Sequence, residues 1–394
     1  MDTKGKKGGQ GMRKTINIGD LGTIITGKTP PTTNKNYYGD YAVFIKPTDI
    51  SEQSKYTYET EEMYSKLAAE KYESSLIPKG AICVPCIGTI GTKMTMAPCD
   101  CYTNQSINSI ICNENYDNEY VYYLIKNFLP GLKAYNLGTA SGREYVSKSN
   151  FEKIELVAEQ DKEIQKKIGV ILSRYDSLIE NYQKQIKLLE EAAQRLYKEW
   201  FIDLHFPEHE NTNIIDGVPE GWEKKKVGEV IAKVPRSKQI PTKDYQNEGA
   251  IPIIDQSRDY IAGYTDDIES RVESNEPYIV FGDHTRILKY VPFPFAKGAD
   301  GTQLIMSNNL DLMPQCLLFT SLVSVDLSNY SYARHFKYLK EEEILVPTAS
   351  IANAFSKHVA KWYAKIQLNR EQLRLLTEAR DRLLPKLMSG EIEI

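Results

Sequence analysis

The chain has 394 residues, of which 41% are hydrophobic and 26% are charged, and its formal net charge is −4. This length favours two domains with connectors over a single core. No run of about 18 uncharged apolar residues occurs, so we expect a cytoplasmic protein that contacts no membrane. Basic and acidic residues number 15 and 16 over residues 13–157, and 15 and 23 over residues 202–347. Neither segment has the positive charge of an autonomous nucleic-acid-binding domain.

The first residues and the cysteines carry no sign of secretion or of a metal. MDTKGKKGGQGMRKT has no apolar segment behind it and predicts a flexible tail over residues 1–15, with no secretory signal. Cys83, Cys86, Cys99 and Cys101 invite the question of zinc, and the first pair has ligand-like spacing. The second pair alternates like strand residues, so we expect buried free thiols and no metal ligand.

Residues 22–29, GTIITGKT, match the phosphate-loop pattern letter for letter. That loop binds phosphate only when a helix begins at its Lys-Thr pair. Pro30 and Pro31 follow at once and move the preceding residue out of the helical region, so we interpret the segment as a rigid basic turn. The chain also lacks the N-P-P-Y motif of amino-methyltransferases and a PD…ExK nuclease core. We therefore expect no catalytic residue and no cofactor.

Two long helical segments repeat each other. QIKLLEEAAQRL from Gln185 lies over QLRLLTEARDRL from Gln372 at an offset of 187, with seven of twelve positions identical. Such duplication suggests two equivalent modules separated by two helices. The second helix leaves the second module, so pairing with the first helix requires it to run back antiparallel. The alternative is that each helix packs on its own module.

Apolar residues recur at heptad spacing in both segments. The stripe of the first helix, with a stutter between its sixth and seventh members, is Ile164, Ile168, Ile171, Tyr175, Leu178, Tyr182, Ile186, Leu189, Ala193, Leu196 and Trp200. The stripe of the second helix is Phe355, Val359, Trp362, Ile366, Asn369, Leu373, Leu376, Arg380, Leu383 and Leu387. Asn369 and Arg380 interrupt the second stripe, and polar residues at such positions can fix register and partner.

The remaining segments are rich in aromatic and β-branched runs punctuated by Gly, Pro and Asn, which is typical of strands and turns. INIGDLGTII from Ile16 corresponds to KKKVGEVIAKV from Lys224. GAICVPCIGTIGTK, residues 80–93, corresponds to PYIVFGDHTRILK, residues 277–289, and YTNQSINSII to GADGTQLIMS. Each apolar strand opens into a loop of Gly, Thr and basic residues. The sequence therefore predicts a second module that corresponds to the first.

These motifs, in this order, resemble the specificity subunit of a type I restriction–modification system over essentially the whole chain. They are LGTIITGKTP, IGTIGTK, NLGTASGREYVSKSNFEKIELVAEQ, PEGWEKKKVGEV and LLTEARDRLLPKLMSGEI. The resemblance implies an α+β fold with two α/β target recognition domains separated by two long antiparallel coiled-coil helices, in a pseudo-twofold (circular) arrangement. ARHFKYLKEEEILVPTAS lacks the EQ that follows the first IELVA, which leaves the second module's edge near Tyr338 open.

The expected boundaries are a tail over 1–15, target recognition domains over 16–157 and 204–347, and spacer helices over 158–203 and 348–394. The resemblance implies a non-catalytic subunit that reads a bipartite site on double-stranded DNA. It also implies docking of two methyltransferase (M) subunits and, in the full complex, two restriction (R) subunits. If those partners clamp the DNA, the near-neutral charge of this chain is explained. The alternative is a structural or interaction protein whose helix pair is a docking stalk.

Arg or Lys reads guanine and Asn or Gln reads adenine at base edges, while Lys, Ser and Thr contact phosphates. We expect such side chains to cluster on corresponding loops. In the first module the candidates are Lys28, Thr29, Lys35, Asn36, Thr89, Thr92, Lys93, Asn104, Gln105, Ser106 and Arg143. In the second module they are Arg236, Lys238, Gln256, Arg258, His284, Thr285, Arg286, Lys297 and Thr302.

Overall fold

The computed structural model describes residues 12–138, 142–330 and 334–394. The chain forms two compact units: unit one runs to Tyr182 and includes Leu373–Ile394, and unit two is Gln183–Gln372. Each unit therefore combines one α/β domain with part of each long helix, where the sequence predicted separate domains and spacers. No helix in the described parts of the chain is long and apolar enough to cross a membrane.

Unit one begins with a strand and ends its α/β part at the first long helix. Its strands are β1 (Arg13–Asn17), β2 (Gly22–Thr26), β3 (Tyr38–Gly39), β4 (Ala42–Ile45), β5 (Met63–Tyr64), β6 (Ile82–Pro85), β7 (Ile87–Gly88), β8 (Thr95–Met96), β9 (Tyr102–Thr103), β10 (Ile107–Cys112), β11 (Glu144–Tyr145) and β12 (Glu155–Glu159). Its helices are α1 (Lys66–Lys71), α2 (Asn118–Phe128) and α3 (Lys148–Glu152), followed by α4 (Lys162–Tyr197), which continues into unit two.

Unit two contains the second set of strands. They are β13 (Ile214–Ile215), β14 (Val218–Pro219), β15 (Glu223–Lys226), β16 (Gln239–Ile240), β17 (Ile251–Ile254), β18 (Gly263–Thr265), β19 (Arg271–Val272), β20 (Tyr278–Gly282), β21 (Leu288–Val291), β22 (Phe295–Gly298), β23 (Thr302–Ile305) and β24 (Glu343–Val346). The helices are α5 (Val227–Val230), α6 (Gln315–Ser324), α7 (His335–Leu339) and α8 (Ala349–Ser389), the last of which continues into unit one.

The two units share several strand pairings around their cores. In unit one, β1 pairs antiparallel with β12, and a four-stranded sheet has the order β2-β10-β6-β8. In unit two, β15 pairs antiparallel with β24, and a three-stranded sheet has the order β21-β20-β23. The β6–β10 and β20–β23 pairs occupy the same place in the two sequences and are both antiparallel. The correspondence predicted from the sequence is therefore present in the backbone.

Two predicted boundaries of the first module differ from the structure. The predicted tail extended to residue 15, but β1 begins at Arg13, which faces Glu159 across the pair with β12. The predicted first spacer began at residue 158, where β12 still continues to Glu159. Arg13 also donates through Nε to the carbonyl of Met388, 3.2 Å away. Residues 13–15 are thus held by a strand partner and by the end of α8; residues 1–11 lie outside the described part.

The segment that matches a phosphate loop does not form one. β2 covers Gly22–Thr26, and the described backbone from residue 27 to residue 34 is not helical. A Cβ on Gly27 would lie 2.1 Å from the carbonyl oxygen of Thr103. Glycine is needed here because the turn passes directly against a neighbouring backbone.

The long helices run antiparallel within each unit. In unit one, Asp176 of α4 contacts Arg380 of α8, and in unit two Gln185 accepts a hydrogen bond from Asn369 at 3.2 Å. The predicted stripe of α8 faces inward throughout, since none of its members is exposed. The predicted stripe of α4 is wrong at Leu178, which is 49% exposed.

The buried face of α4 in unit one is displaced by about one residue from the predicted stripe. Leu172, Asp176 and Ile179 are buried there. A carboxylate therefore occupies the buried position that the apolar pattern had assigned to neighbouring residues. Periodicity reads only apolar residues, so a buried charge shifts the apparent stripe.

In each unit, a shorter helix forms a hydrogen bond to the pair of long helices, α4 and α8, at an equivalent position. In unit one, the hydroxyl of Tyr123 in α2 donates to Oδ2 of Asp176. The other carboxylate oxygen of Asp176, Oδ1, accepts from Arg380 at 2.6 Å. The repeat offset of 187 places Tyr363 and Ala193 at the corresponding positions of unit two. There the hydroxyls of Tyr363 and Thr320 of α6 lie 3.0 Å apart. The same contact is ionic in unit one and uncharged in unit two.

The cysteine group is part of a sheet core. Cys83 and Cys101 are buried in one apolar cluster, and Cys83 accepts a contact from Ser109 Oγ at 3.6 Å. Burial raises the pKa of the Cys83 thiol to about 12, which disfavours the thiolate that binds metals. Within residues 12–138, 142–330 and 334–394, no His, Cys, Asp and Glu side chains are grouped to hold a metal ion.

Candidate nucleic-acid interface

In unit one, three polar loops meet at one edge of the main sheet. Thr26, at the end of β2, flanks β10 on one side through its pairing with Asn108. Pro85, at the end of β6, flanks the start of β10 on the other side through Ile107. The loops that follow β2 and β6 and the loop that precedes β10 therefore emerge together. These loops carry most of the DNA-contacting residues that the sequence predicted for the first module.

Hydrogen bonds join these loops into one surface. The backbone N–H of Lys28 donates to Thr103 at 2.9 Å, and Thr29 Oγ1 donates to Gln105 Oε1. The N–H of Cys86 donates to the carbonyl of Ser106 at 2.7 Å. The loop after β6 is fastened in turn to the segment beside Arg143, because β7 pairs with β11. Unit one thus presents one connected set of polar loops.

In unit two, the corresponding edge is built around Gln256. Gly282 at the end of β20 pairs with Thr302 at the start of β23, so the loops beyond them are neighbours. The side-chain amide of Gln256 donates to the Asp300 carbonyl at 2.9 Å and accepts from the His284 N–H at 3.1 Å. Its backbone carbonyl accepts from Thr285 Oγ1 at 2.7 Å. Gln256 therefore ties three loops together, and its amide is already occupied.

Arg286 has a similar internal role. Its backbone has φ = 62°, a left-handed conformation that costs a non-glycine residue on the order of 1 kcal/mol. The guanidinium donates to His335 Nε2 at 3.2 Å and to the Tyr330 carbonyl at 2.8 Å. His335 belongs to the short helix α7. Asp283 also binds α7, because its Oδ1 accepts from the Phe336 N–H at 2.7 Å. Arg286 is positioned to shape the loop that carries His284.

The predicted residues differ in the solvent exposure of their side chains. Those with exposed side chains are Lys28, Thr29, Lys35, Asn36, Thr89, Gln105, Arg143, Arg236, Lys238, Arg258, His284 and Thr285. Those with half-buried side chains are Thr92, Lys93, Asn104, Ser106, Gln256, Arg286 and Lys297. Thr302 is 1% exposed and donates to the Ala299 carbonyl, and Thr92 Oγ1 is inaccessible. In this conformation neither hydroxyl has a surface through which to contact a ligand. Lys238 is exposed but paired with Asp267 at 2.7 Å.

The sequence reasoning missed the support beneath the Gln256 loop. Lys289 is buried and donates to the Asp259 carbonyl, and its Nζ lies 3.8 Å from Asp255 Oδ1. Burial lowers the pKa of Lys289 to about 8. Asp255 in turn accepts from the N–H and the hydroxyl of Ser257. The signal available in the sequence was that Lys289 lies among apolar residues in a strand, which indicates a buried lysine.

Comparison with known proteins shows which families this chain resembles. Residues 13–191 match the family model described as the type I restriction modification DNA specificity domain. The type I restriction enzyme MjaIX specificity subunit of Methanocaldococcus jannaschii is 28% identical over 405 aligned residues, 96% of this chain and 93% of the relative. The chain is therefore similar to type I restriction enzyme specificity subunits, over residues 13–191 for the family model and over almost its whole length for this relative. The matched family model describes a DNA specificity domain, and the relative is named a specificity subunit.

Two further similarities cover different shares of this chain. The type I restriction enzyme HindI specificity subunit of Haemophilus influenzae is 38% identical over 165 residues, which is 40% of this chain and 35% of that relative. A crystal structure of a type I restriction–modification system S subunit from M. genitalium superposes with a TM-score of 0.63. It covers 98% of this chain and 99% of its own at 16% identity. The fold expected from the sequence, α+β with two domains and two long helices, is confirmed.

Proposed function

We propose that this chain is a type I restriction–modification specificity subunit that reads a bipartite site on double-stranded DNA, with each unit reading one half. We further propose that it docks two methyltransferase subunits and, in the full complex, two restriction subunits. The observation that carries the proposal is the repeated sheet edge: β6–β10 in unit one and β20–β23 in unit two each bring polar loops together. Two equivalent edges on one chain fit two half-sites.

In unit one, the exposed loop residues supply both kinds of DNA contact. Gln105 and Asn36 carry the amides that suit adenine, whereas Lys28 and Lys35 suit guanine or phosphate. Lys28 and Gln105 lie on adjacent loops, since the loops are joined by the Thr29–Gln105 hydrogen bond. A base-reading amide and a cation are thus presented by one surface.

In unit two, Arg258 and His284 extend from the loops that Gln256 ties together. Arg258 is exposed, and no hydrogen bond or ion pair links it to another residue in the described ranges. Its five donors are therefore available for a bidentate contact with guanine. The surrounding network fixes the loops before DNA arrives, which lowers the entropic cost of binding.

The helices offer matched positions for docking. Leu188 and Leu375 are equivalent in the twelve-residue repeat and are 52% and 44% exposed. One lies in unit two and the other in unit one. Single exposed leucines are common on protein surfaces, so what supports docking is the equivalence of these two leucines in the internal repeat. An equivalent position in each unit supports one methyltransferase subunit for each.

The test is to map the methylated sites of the complex assembled with Arg258→Ala. We expect relaxed discrimination at one position of one half-site, worth about 1–3 kcal/mol, with the other half unchanged. Arg271→Ala, which removes an exposed arginine of the same unit that is paired with Glu273, should leave the site unaltered. Relaxation of both halves would contradict separate reading, and equal weakening on all sequences would reassign Arg258 to a phosphate.

A further inference from the structure

Unit two contains a groove of about 720 Å³ that the sequence analysis did not anticipate. Its walls come from the segment 228–239, from β22 and β23, and from α7 and the residue after it. Arg236 and Lys297 were predicted as DNA contacts, and both line this groove. Lys233 and Lys340, which were not predicted, line it as well. Two isolated sequence predictions thus belong to one surface feature.

The groove exists because a strand pairing of unit one is shortened in unit two. β2 pairs with β10 over five residues, from Gly22 to Thr26. In unit two, the corresponding segment forms a single bridge, between Ile231 and Ser307. Two backbone hydrogen bonds close it, from the Ala232 N–H to the Met306 carbonyl and from the Asn308 N–H to the Val230 carbonyl. Beyond that point the chain separates from β23, and Gln303 of β23 lines the groove. The groove is therefore a difference between two equivalent modules.

The charge of the groove is opposite to that of the surrounding sequence. Residues 202–347 include 15 basic and 23 acidic residues. The described residues that line the groove include Lys233, Arg236, Lys297 and Lys340, and none of them is Asp or Glu. Burial lowers the pKa of Lys297, because its ammonium group has lost part of its hydration. Four cations without a carboxylate among the lining residues favour an anionic occupant.

Neutral donors complete the lining. Gln239 and Gln303 contribute side-chain amides. Ser237 Oγ is buried and has no hydrogen-bond partner in the described parts of the chain. A hydroxyl and amides beside Lys and Arg are the groups that proteins use to contact phosphate oxygens.

The groove and the proposed base-reading loop share one support. Asp283 binds the start of α7 through its carbonyl, which accepts from the His335 N–H at 2.9 Å, and through its carboxylate. Phe336 and Lys340, on the same short segment, line the groove. A ligand that lies in the groove is therefore next to the element that holds the loop of His284.

We propose that this groove binds the sugar–phosphate backbone of the DNA whose bases the loops of unit two read. The proposal rests on the proposed function and divides the labour within unit two. Lys233, Arg236 and Lys340 neutralise phosphates and position the duplex, while Arg258 discriminates bases. Lys297, on β22, lies in the groove as a further cation.

The experiment measures DNA affinity of the complex with the methyltransferase subunit over a range of salt concentrations. The groove variant is Lys233→Ala with Lys340→Ala. The matched control is Lys243→Ala with Lys337→Ala, which removes two exposed lysines of unit two outside the groove lining. Lys337 lies in α7, three residues before Lys340, so the control also tests the same short segment.

We expect the groove variant to reduce the slope of log affinity against log salt by about 0.9 for each lost contact, or about 1.8 for both. Cognate and unrelated DNA should weaken by the same factor, because phosphate contacts carry no sequence information. The control should keep the wild-type slope. A control that lowers the slope equally would show a net-charge effect and overturn the assignment to the groove.

Other outcomes separate the two proposals. If the groove variant weakens binding of the methyltransferase subunit and leaves the salt slope unchanged, an acidic partner segment occupies the groove and the inference is wrong. A slope reduced on cognate DNA alone would also overturn it. If the wild-type complex binds all DNA sequences with equal affinity, the proposed function is wrong. The salt slopes measured on arbitrary DNA still test whether the groove binds phosphates.

Discussion

The buried ion pair between the long helices gives the sharpest test of how unit one is stabilised. Asp176 Oδ1 and Arg380 Nη1 are 2.6 Å apart, and both side chains are almost inaccessible. Tyr123 donates to the second oxygen of Asp176. The perturbation is Arg380→Leu, which leaves the carboxylate buried with one hydrogen-bond donor from α2.

The expected loss follows from the burial. Removing one partner of a buried pair leaves an uncompensated charge and costs about 3–5 kcal/mol. Replacing both partners by apolar residues is often neutral or stabilising. The double variant Asp176→Leu with Arg380→Leu should therefore recover most of the loss. Unit two already has an uncharged arrangement at the equivalent positions, Tyr363 and Ala193, which shows that the contact does not require an ion pair.

The assay is equilibrium denaturation of the full chain, with the transition of unit one followed by hydrogen exchange of α2. Arg382→Ala is the control, since Arg382 is 74% exposed and pairs with Glu378 on the surface of the same helix. It should cost less than about 1 kcal/mol. A loss below about 1 kcal/mol for Arg380→Leu, or a double variant no more stable than the single, would refute this account of the pair.

Three further predictions concern α4 and the loop of unit two. Gly169→Ala should destabilise unit one although alanine favours helices, because the new Cβ would lie 2.8 Å from Glu119 Cβ; thermal unfolding beside Ser177→Ala checks this, and equal stability would contradict it. The pKa of Lys289, about 8 when folded against 10.5, means that the unfolded state binds its proton more tightly. Its contribution to stability should rise with pH between those values, and Lys289→Met should abolish that part of the rise between about pH 8 and 10.5. Parallel wild-type and variant curves would disprove it. Four residues inserted after Tyr182 lengthen α4 by about 6 Å. Methylation mapping should then show one or two more base pairs of DNA between the two half-sites. An unchanged separation of the half-sites in an active complex would show that the helices do not set that separation.

Heptad spacing and the internal repeat predicted most of the helical architecture. All ten predicted stripe positions of α8 face inward, including Asn369 and Arg380. The α4 stripe was displaced because Asp176 is buried, and a pattern of apolar residues cannot report a carboxylate that is stabilised by a distant arginine. The partner of that carboxylate is more than 200 positions away in the chain. Burial of charge is settled by tertiary contacts, which lie beyond local periodicity.

The candidate DNA-contacting loops were predicted at the level of loops and only partly at the level of side chains. Their composition of Gly, Thr and basic residues identified loops that lie together at one sheet edge in each unit, and their contact with DNA stays a prediction. Composition did not separate Arg258, which is exposed, from Arg286, which is bonded to His335 and Tyr330. The groove was also missed, since it depends on where the chain after Ile231 leaves β23.

The polar residues that interrupt the α8 stripe define the pairing of the helices. If α8 moved by one heptad, Arg380 would no longer face Asp176, and Asn369 would lose Gln185. Asp176 and Asn369 are buried, so the shifted pairing would leave the Asp176 carboxylate without its arginine and the Asn369 amide without Gln185. Arg380 would keep only Asp381 of its own helix. The unpaired charge alone costs about 3–5 kcal/mol, whereas a heptad shift of purely apolar stripes costs far less because leucines replace leucines. The interruptions therefore select one register in each unit, and they do so with an ion pair in unit one and an amide contact in unit two.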